Sequence, residues 1–314
     1  MKLSVVSPVY NEEGNVIELH KQILASLTLL KKKNKISDFE IILVNDGSKD
    51  KTLEIMKTLN PVKIVNLRRN FGQTASMDAG IKSATGDVII TLDADLQNDP
   101  ADFELLLDEM AKGYDVVCGW RHKRKDSFSK KFISRGAKML RKFFVDDGIH
   151  DSGCTLKAYK RECFDNIDLQ GEMHRFIAAI LRWEGFSITE IRVNHRPRTS
   201  GKSKYTWKRT IKGFVDMISI WFWRKYSARP LHIFGGLGMA AFVFGVALTV
   251  LAFLVKFFLH VSVSYITLFN FGLFFCTAGI VSFTAGMISD IAIKTYYKTA
   301  HIRPYNIKEV IDIS

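Results

Sequence analysis

Cysteine and proline are scarce in this sequence, at four and six among 314 residues. Cys118, Cys154, Cys163 and Cys276 form no Cys-x-x-Cys pair and have no histidine at zinc-ligand spacing, which excludes a disulfide-framed secreted scaffold and a zinc ribbon. They read as reduced, structural thiols of a protein that faces the cytosol. With 25% charged and 47% hydrophobic residues and no proline-rich tract, the chain is neither disordered nor collagen-like. Acid is missing where base concentrates. Residues 121–142 hold ten Lys/Arg and one Asp, and residues 192–212 hold eight Lys/Arg and no acid; these seventeen net positive charges leave the rest at −4 within a total of +13. Basic charge confined in this way implies an anionic partner: nucleic acid, anionic lipid or a phosphorylated substrate. No RNA- or DNA-binding motif accompanies it, so nucleic acid is not expected as the partner.

Charge is absent altogether from residues 233–255 and 266–289. About 20 apolar residues at a rise of about 1.5 Å cross the roughly 30 Å hydrocarbon layer, so each run is long enough to span a bilayer. The mean hydropathy of +0.04 therefore averages unlike parts: a head over residues 1–226, a two-helix anchor over 227–294 and a tail over 295–314. Arg224, Lys225 and Arg229 precede the first span and Lys294, Lys298 and Arg303 follow the second, whereas the link over 256–265 holds one Lys. The positive-inside rule puts head and tail in the cytoplasm, in an integral protein of the plasma membrane. Gly235, Gly236, Gly238 and Gly279 give the spans small faces that can pack between subunits as a homo-oligomer.

Within the head, apolar runs alternate with helical periodicity. Residues 3–7, 39–44, 62–67, 87–92 and 116–120 read as strands, most of them continuous, as suits parallel strands covered on both faces. Between them Val16, Leu19, Ile23, Leu24 and Leu27 recur at helical spacing, as do Leu53, Met56 and Leu59, and residues 103–110 are helix-like. The pattern predicts an α/β fold with a doubly wound, mostly parallel sheet, whose ligand sits at the carboxyl ends of the strands. The first four strands end in polar segments at 7–13, 45–48, 68–73 and 93–97. In the last of these, Asp93 and Asp95 stand two apart on extended chain, so both carboxylates face one point, with the Gln97 amide next in line. Their mutual repulsion is relieved by a hard divalent cation, Mg²⁺ or Mn²⁺.

Pro8-Val9-Tyr10-Asn11-Glu12, Asn45-Asp46-Gly47-Ser48 and Asp93-Ala94-Asp95-Leu96-Gln97 together resemble family 2 glycosyltransferases of the GT-A fold. Continuing through 151–157 (DSGCTLK) and 198–205 (RTSGKSKY) to two C-terminal spans, the chain resembles the polyprenyl-phosphate branch of that family. That branch includes dolichol-phosphate mannose synthase and bacterial undecaprenyl-phosphate glycosyltransferases. The resemblance implies that Pro8, Tyr10, Glu12 and Asp46 hold the nucleoside of a nucleotide-sugar donor, with UDP preferred. It implies further that Asp93, Asp95 and Gln97 form the metal and diphosphate site, and that Arg198 and Lys204 lie on a loop closing over phosphates. Asp151 matches a region near sugar and acceptor and is a candidate catalytic residue. Arg121 and Arg175 are candidates for gripping the acceptor, a polyprenyl phosphate.

The implied reaction moves a sugar onto the phosphate of a membrane lipid. Two amphipathic helices, about 128–144 and about 207–226, are expected to lie in the bilayer interface, with Trp221 and Trp223 at headgroup level. A processive polysaccharide synthase shares the head and Arg182-Trp183, but the glutamine that such enzymes carry three positions before that arginine is Ala179 here. A non-catalytic, membrane-tethered binder of anionic lipid or nucleic acid explains the charge but not four polar loops on one sheet edge.

Overall fold

The continuous apolar runs become strands. In this computed structural model they are β1 (Lys2–Val9), β2 (Asp38–Asn45), β3 (Val62–Leu67), β4 (Val88–Thr91) and β5 (Val116–Trp120), joined by β6 (Lys157–Lys160), β7 (Ile188–Arg192) and β8 (Ile307–Ile313). Among the described residues the α-helices of the head are α1 (Val16–Lys32), α2 (Thr52–Met56), α3 (Gln73–Ser83), α4 (Phe103–Met110) and α5 (Ile177–Trp183). The structure describes residues 1–122, 148–165, 167–169, 171, 173–196, 230–259, 262–299 and 305–313. Both basic interfacial segments, about 128–144 and 207–226, and the loop bearing Arg198 and Lys204 lie outside the described residues.

One sheet runs in the order β7-β5-β6-β4-β1-β2-β3-β8. Pairs β1/β2, β1/β4, β2/β3 and β5/β7 are parallel, while β4/β6, β5/β6 and β3/β8 are antiparallel. Because strand side chains alternate, successive residues feed opposite cores. Val5, Val9, Ile41 and Leu43 pack with α1 and α4, whereas Val6, Ile42 and Val44 pack with α3 and α5. Helix α1 buries Val16, Leu19, Ile23 and Leu27 of the expected stripe and adds Leu30, whereas Leu24 is only partly buried.

The 295–314 tail is corrected by the structure. The second long helix continues to Thr299, and Ile307–Ile313 is the edge strand β8, antiparallel to β3 from Val62↔Ile313 to Leu67↔Ile307. It is part of the head: of the two compact units, one comprises residues up to 217 together with 303–314, and the other 218–302. The Tyr305 hydroxyl, buried, donates to Asp78 Oδ2 of α3 at 3.0 Å and fixes the entry to this strand.

In the second unit, α6 (Pro230–Leu259) and α7 (Ser262–Thr299) contain apolar spans at Leu231–Phe258 and Tyr265–Ala292, a few residues longer than the sequence pattern gave. Only 17% of each span is buried within the chain, and Phe257 and Phe258 are 74% and 70% exposed, as suits candidate membrane spans. Three of the four glycines expected to pack between subunits, Gly235, Gly238 and Gly279, make a contact within the chain. A Cβ on Gly238 would lie 2.6 Å from the Gly279 carbonyl oxygen, and one on Gly245 would lie 2.6 Å from that of Gly272. These glycines form the seam between α6 and α7 at seven-residue spacing, and Gly235 faces Phe283 in the same contact. Gly236 alone of the four has open space around it.

Candidate active site

Strands β1 to β4 all run the same way, so their carboxyl ends share one edge of the sheet. The chain winds from β1 to β2 and β3 on one side, then crosses to β4 on the other. Open α/β sheets bind their ligands at such a switch point, here between the loops that follow β1 and β4.

Hydrogen bonds tie those loops into a continuous rim. The Asn11 amide donates to Ser48 Oγ at 3.1 Å, and its side-chain oxygen accepts from the Lys49 amide at 2.8 Å. The Glu12 amide donates to Thr52 Oγ1 at 2.9 Å. Asn11 is held at φ 55°, a left-handed conformation that asparagine tolerates better than most residues. Pro8 stands opposite Val44, one pair before the β1 ladder ends at Val9↔Asn45, and Tyr10 just beyond the strand is 38% exposed.

Asp46 is occupied largely with its own scaffold. Its two carboxylate oxygens accept from the backbone N–H groups of Phe71 at 2.7 Å and Gly72 at 3.0 Å, which fastens the loop after β3 to the loop after β2. Burial raises its pKa, opposed by these same bonds. Gly47 makes the junction possible. It sits at φ 63°, and a Cβ there would come 2.4 Å from the Arg69 carbonyl carbon and 2.6 Å from the Asn70 nitrogen.

Asp93 lies at the end of the buried run and accepts from Gln73 Nε2, at the start of α3, at 2.7 Å. Although the residue retains some solvent access, its carboxyl is enclosed by protein atoms. Burial first and the Asp95 charge second push its pKa up to about 6, partly opposed by Thr155, Arg121 and Lys157. Asp95 Oδ1 accepts from the Gln97 amide at 3.2 Å, across Leu96 at φ 61°. A non-glycine residue in that conformation stores strain, and such strain gathers at functional loops. Among the described residues no three His, Cys, Asp or Glu side chains gather into a metal cage. Two carboxylates and an amide do fit a hard cation that takes its remaining oxygens from water and a bound phosphate.

Arg121 and Asp151, predicted separately, are partners. Arg121 Nε donates to Asp151 Oδ2 at 2.7 Å and Nη2 to Oδ1 at 2.8 Å, with the two side chains 15% and 14% exposed. Burial acts to lower the Arg121 pKa, but this bidentate pair outweighs it and raises the value further. Three of the five guanidinium N–H groups remain for other acceptors. Arg175 lies on the 3₁₀ turn Met173–Arg175, half-buried, beside His174, whose Nδ1 bonds Thr74 Oγ1 of α3 at 2.6 Å. Arg198 and Lys204 lie outside the described residues, but the base of their loop is described. The Arg196 amide donates to the Gln97 carbonyl at 2.9 Å, and its guanidinium meets Asp99 at 2.6 Å. Residues 194–196 are thereby anchored beside the Asp93–Gln97 loop.

Sequence reasoning missed three members of this rim. Gln73 holds Asp93; Thr155 Oγ1 accepts from Asn98 Nδ2 at 3.0 Å while the Thr155 carbonyl accepts from Thr91 at 2.8 Å; Arg196 joins two loops. Only the presence of Gln73 and Thr155 inside motif segments signalled them. The cysteines are structural as expected: all four are free, and burial pushes the thiols of Cys154 and Cys163 up to about 11 and about 12.

Comparison with known proteins agrees with this geometry. Residues 4–168 match the model of glycosyl transferase family 2. Dodecaprenyl-phosphate galacturonate synthase of Rhizobium johnstonii is 34% identical over 99% of this chain and 94% of its own length. Undecaprenyl-phosphate 4-deoxy-4-formamido-L-arabinose transferase of Pseudomonas aeruginosa is 35% identical over 79% of this chain and 73% of its own. Among solved structures, glucosyl-3-phosphoglycerate synthase of Mycobacterium tuberculosis, crystallised with Mn²⁺ and UDP, shares the fold at 16% identity and TM-score 0.53, covering 71% of this chain and 79% of that one. With a family model over more than half its length and a relative alignable almost end to end, the chain is a glycosyltransferase of family 2.

Proposed function

We propose that this enzyme transfers a sugar from a nucleotide-sugar, UDP-linked by preference, to the phosphate of a polyprenyl phosphate, with inversion at the sugar C1 and with Mg²⁺ or Mn²⁺ bound. The observation that carries the reading is one chain holding both parts. The paired carboxylates Asp93 and Asp95 stand at the sheet's switch point, together with two helices long and apolar enough to enter a membrane. Relatives named for dodecaprenyl and undecaprenyl phosphate support the acceptor class. In this reading the active head faces the cytoplasm, which the basic residues flanking the spans support, and the product serves cell-envelope glycans.

Pro8, Tyr10, Glu12 and Asp46 hold the nucleoside. Asp46, already bonded to two backbone N–H groups, keeps lone pairs for a hydroxyl or base N–H. Asp93, Asp95 and Gln97 would hold the cation, which when bound supplies positive charge to the departing diphosphate. Arg198 and Lys204 counter the remaining phosphate charge. Arg121, aimed by its bidentate bond to Asp151, and Arg175 grip the acceptor phosphate. An acceptor oxygen attacks C1 from the face opposite the nucleotide, the bond from C1 to the diphosphate oxygen breaks, and its electron pair leaves with the nucleoside diphosphate. A phosphate monoester with second pKa of about 6 is already mostly dianionic at neutral pH, so the step needs no strong base. Asp151 then serves by positioning Arg121.

Membranes carrying the protein, offered UDP-glucose, UDP-N-acetylglucosamine, UDP-galactose, UDP-galacturonate or GDP-mannose with a short-chain polyprenyl phosphate, test the reading. Transfer from one UDP-sugar to the lipid, abolished by EDTA and by Asp95→Ala, is expected. Tight lipid binding with no turnover of any donor would overturn it.

A further inference from the structure

The edge strand β8 reaches the loop after β2 through a row of side chains. Asn45 of β2, Asn66 of β3 and Glu309 of β8 stand opposite one another in register across three neighbouring strands. Glu309 Oε1 accepts from Asn66 Nδ2 at 2.9 Å, Asn66 Oδ1 accepts from Asn45 Nδ2 at 2.8 Å, and Asn45 Oδ1 accepts from the Ser48 amide at 3.2 Å. Ser48 Oγ in turn accepts from the Asn11 amide at 3.1 Å. Asn45 and Asn66 are 2% and 3% exposed. Asparagine is a poor strand residue, and a buried amide is costly unless it is bonded, so packing alone does not account for this row.

The row has a polarity. An amide offers an acceptor at one end and donors at the other, and a carboxylate can only accept. Glu309 therefore requires Asn66 to present its NH₂ outward, which turns the Asn66 oxygen to Asn45 and the Asn45 oxygen to the Ser48 N–H. We propose that Glu309 is a positioning residue for the donor site, setting through Asn66 and Asn45 the orientation of the 45–48 and 10–13 loops. The inference rests on the reading of the sheet's switch point as the nucleotide-sugar site. It means that an element arriving after both apolar helices completes the donor-binding rim.

Glutamine keeps an acceptor, alanine removes it and lysine replaces it with donors. The Glu309 side chain is 39% exposed, so water can substitute for it in Glu309→Ala, and the charge reversal in Glu309→Lys is the sharper perturbation. Asp312→Lys, on the exposed face of the same strand, makes the same charge change away from the row. Amide hydrogen exchange over residues 45–52 should rise about tenfold in Glu309→Lys, about threefold in Glu309→Ala, and stay unchanged in Glu309→Gln and Asp312→Lys. The KM for the donor should rise in parallel, with kcat held within about twofold. Equal exchange in Glu309→Lys and Asp312→Lys would overturn the proposal, as would a rise spread evenly over β3 and β8, which would mark a detached strand. If Glu309→Lys does not fold, the contrast between Glu309→Ala and Glu309→Gln decides the matter by the same criterion. The exchange measurement needs no ligand, so a wild type without turnover would refute the donor-site reading separately.

Discussion

Replacing Asp93 by Asn should make the ligand-free head more stable while abolishing transfer. The folded state holds the Asp93 carboxyl at a pKa of about 6, raised from 3.8 by burial and by Asp95. Because the folded value lies above the unfolded one, the neutral form is the favoured one. The stability tied to this group is fully present below about pH 3.8 and is lost as pH rises through about 6. At about 1.4 kcal/mol for each pH unit between the two values, the loss at pH 7.5 is about 2 to 3 kcal/mol. The asparagine of Asp93→Asn keeps a carbonyl oxygen for Gln73 Nε2 and carries no charge, so the variant recovers most of this. At about 2–4 °C per kcal/mol for a head of this size, the variant's Tm should exceed wild type by several degrees at pH 7.5 and match it near pH 4. Differential scanning fluorimetry of detergent-solubilised protein with EDTA reads the gap. Adding Mn²⁺ and UDP should then raise the wild-type Tm and leave the variant unmoved. A variant less stable than wild type at pH 7.5, or a gap that does not change with pH, would refute the reasoning.

Other perturbations separate the parts of the account. Arg121→Lys should raise the KM for polyprenyl phosphate about tenfold or more with little change for the donor, because a lysine cannot reproduce the bidentate bond to Asp151; steady-state kinetics against each substrate checks this. Gly47→Ala should cost several kcal/mol and abolish UDP binding by calorimetry, since a methyl group there meets the backbone of Arg69 and Asn70 at φ 63°. Gly279→Leu should part α6 from α7 at Gly238, which limited proteolysis in nanodiscs would report as new cleavage, with UDP binding by the head retained.

What the sequence made legible follows from how local each signal is. Strands β1 to β5 are short, continuous apolar runs, and helices α1 and α4 carry their own period, so all were readable without partners. Strands β6 (K-A-Y-K) and β7 (I-T-E-I-R) are polar and brief, and only their neighbours make them strands. Lys157 in β6 is buried at 2% exposure with its ammonium on the Ser152 carbonyl, a placement no hydropathy pattern anticipates. Strand β8 does alternate, but it follows two apolar runs and so reads as a tail; the bond from Asn66 of β3 to Glu309 spans 243 residues. The same limit applies at the site. Asp93 and Asp95 declare themselves by their spacing, whereas the Gln73 contact to Asp93 and the pairing of Arg121 with Asp151 cross 20 and 30 residues and become visible only when the loops meet. The glycines of the spans are recognisable as packing residues, but their partners depend on register, and the contacts of Gly238 with Gly279 and of Gly245 with Gly272 between α6 and α7 become visible only in the folded chain.

The central claim, that C1 of the sugar passes to a lipid phosphate with the diphosphate leaving intact, is tested by product stoichiometry. Purified enzyme in nanodiscs, given the preferred labelled donor and polyprenyl phosphate, should release one nucleoside diphosphate for each sugar that becomes lipid-extractable, and none without the lipid phosphate. Release of nucleoside monophosphate, or sugar accumulating in a polymer while the lipid remains unglycosylated, would contradict it.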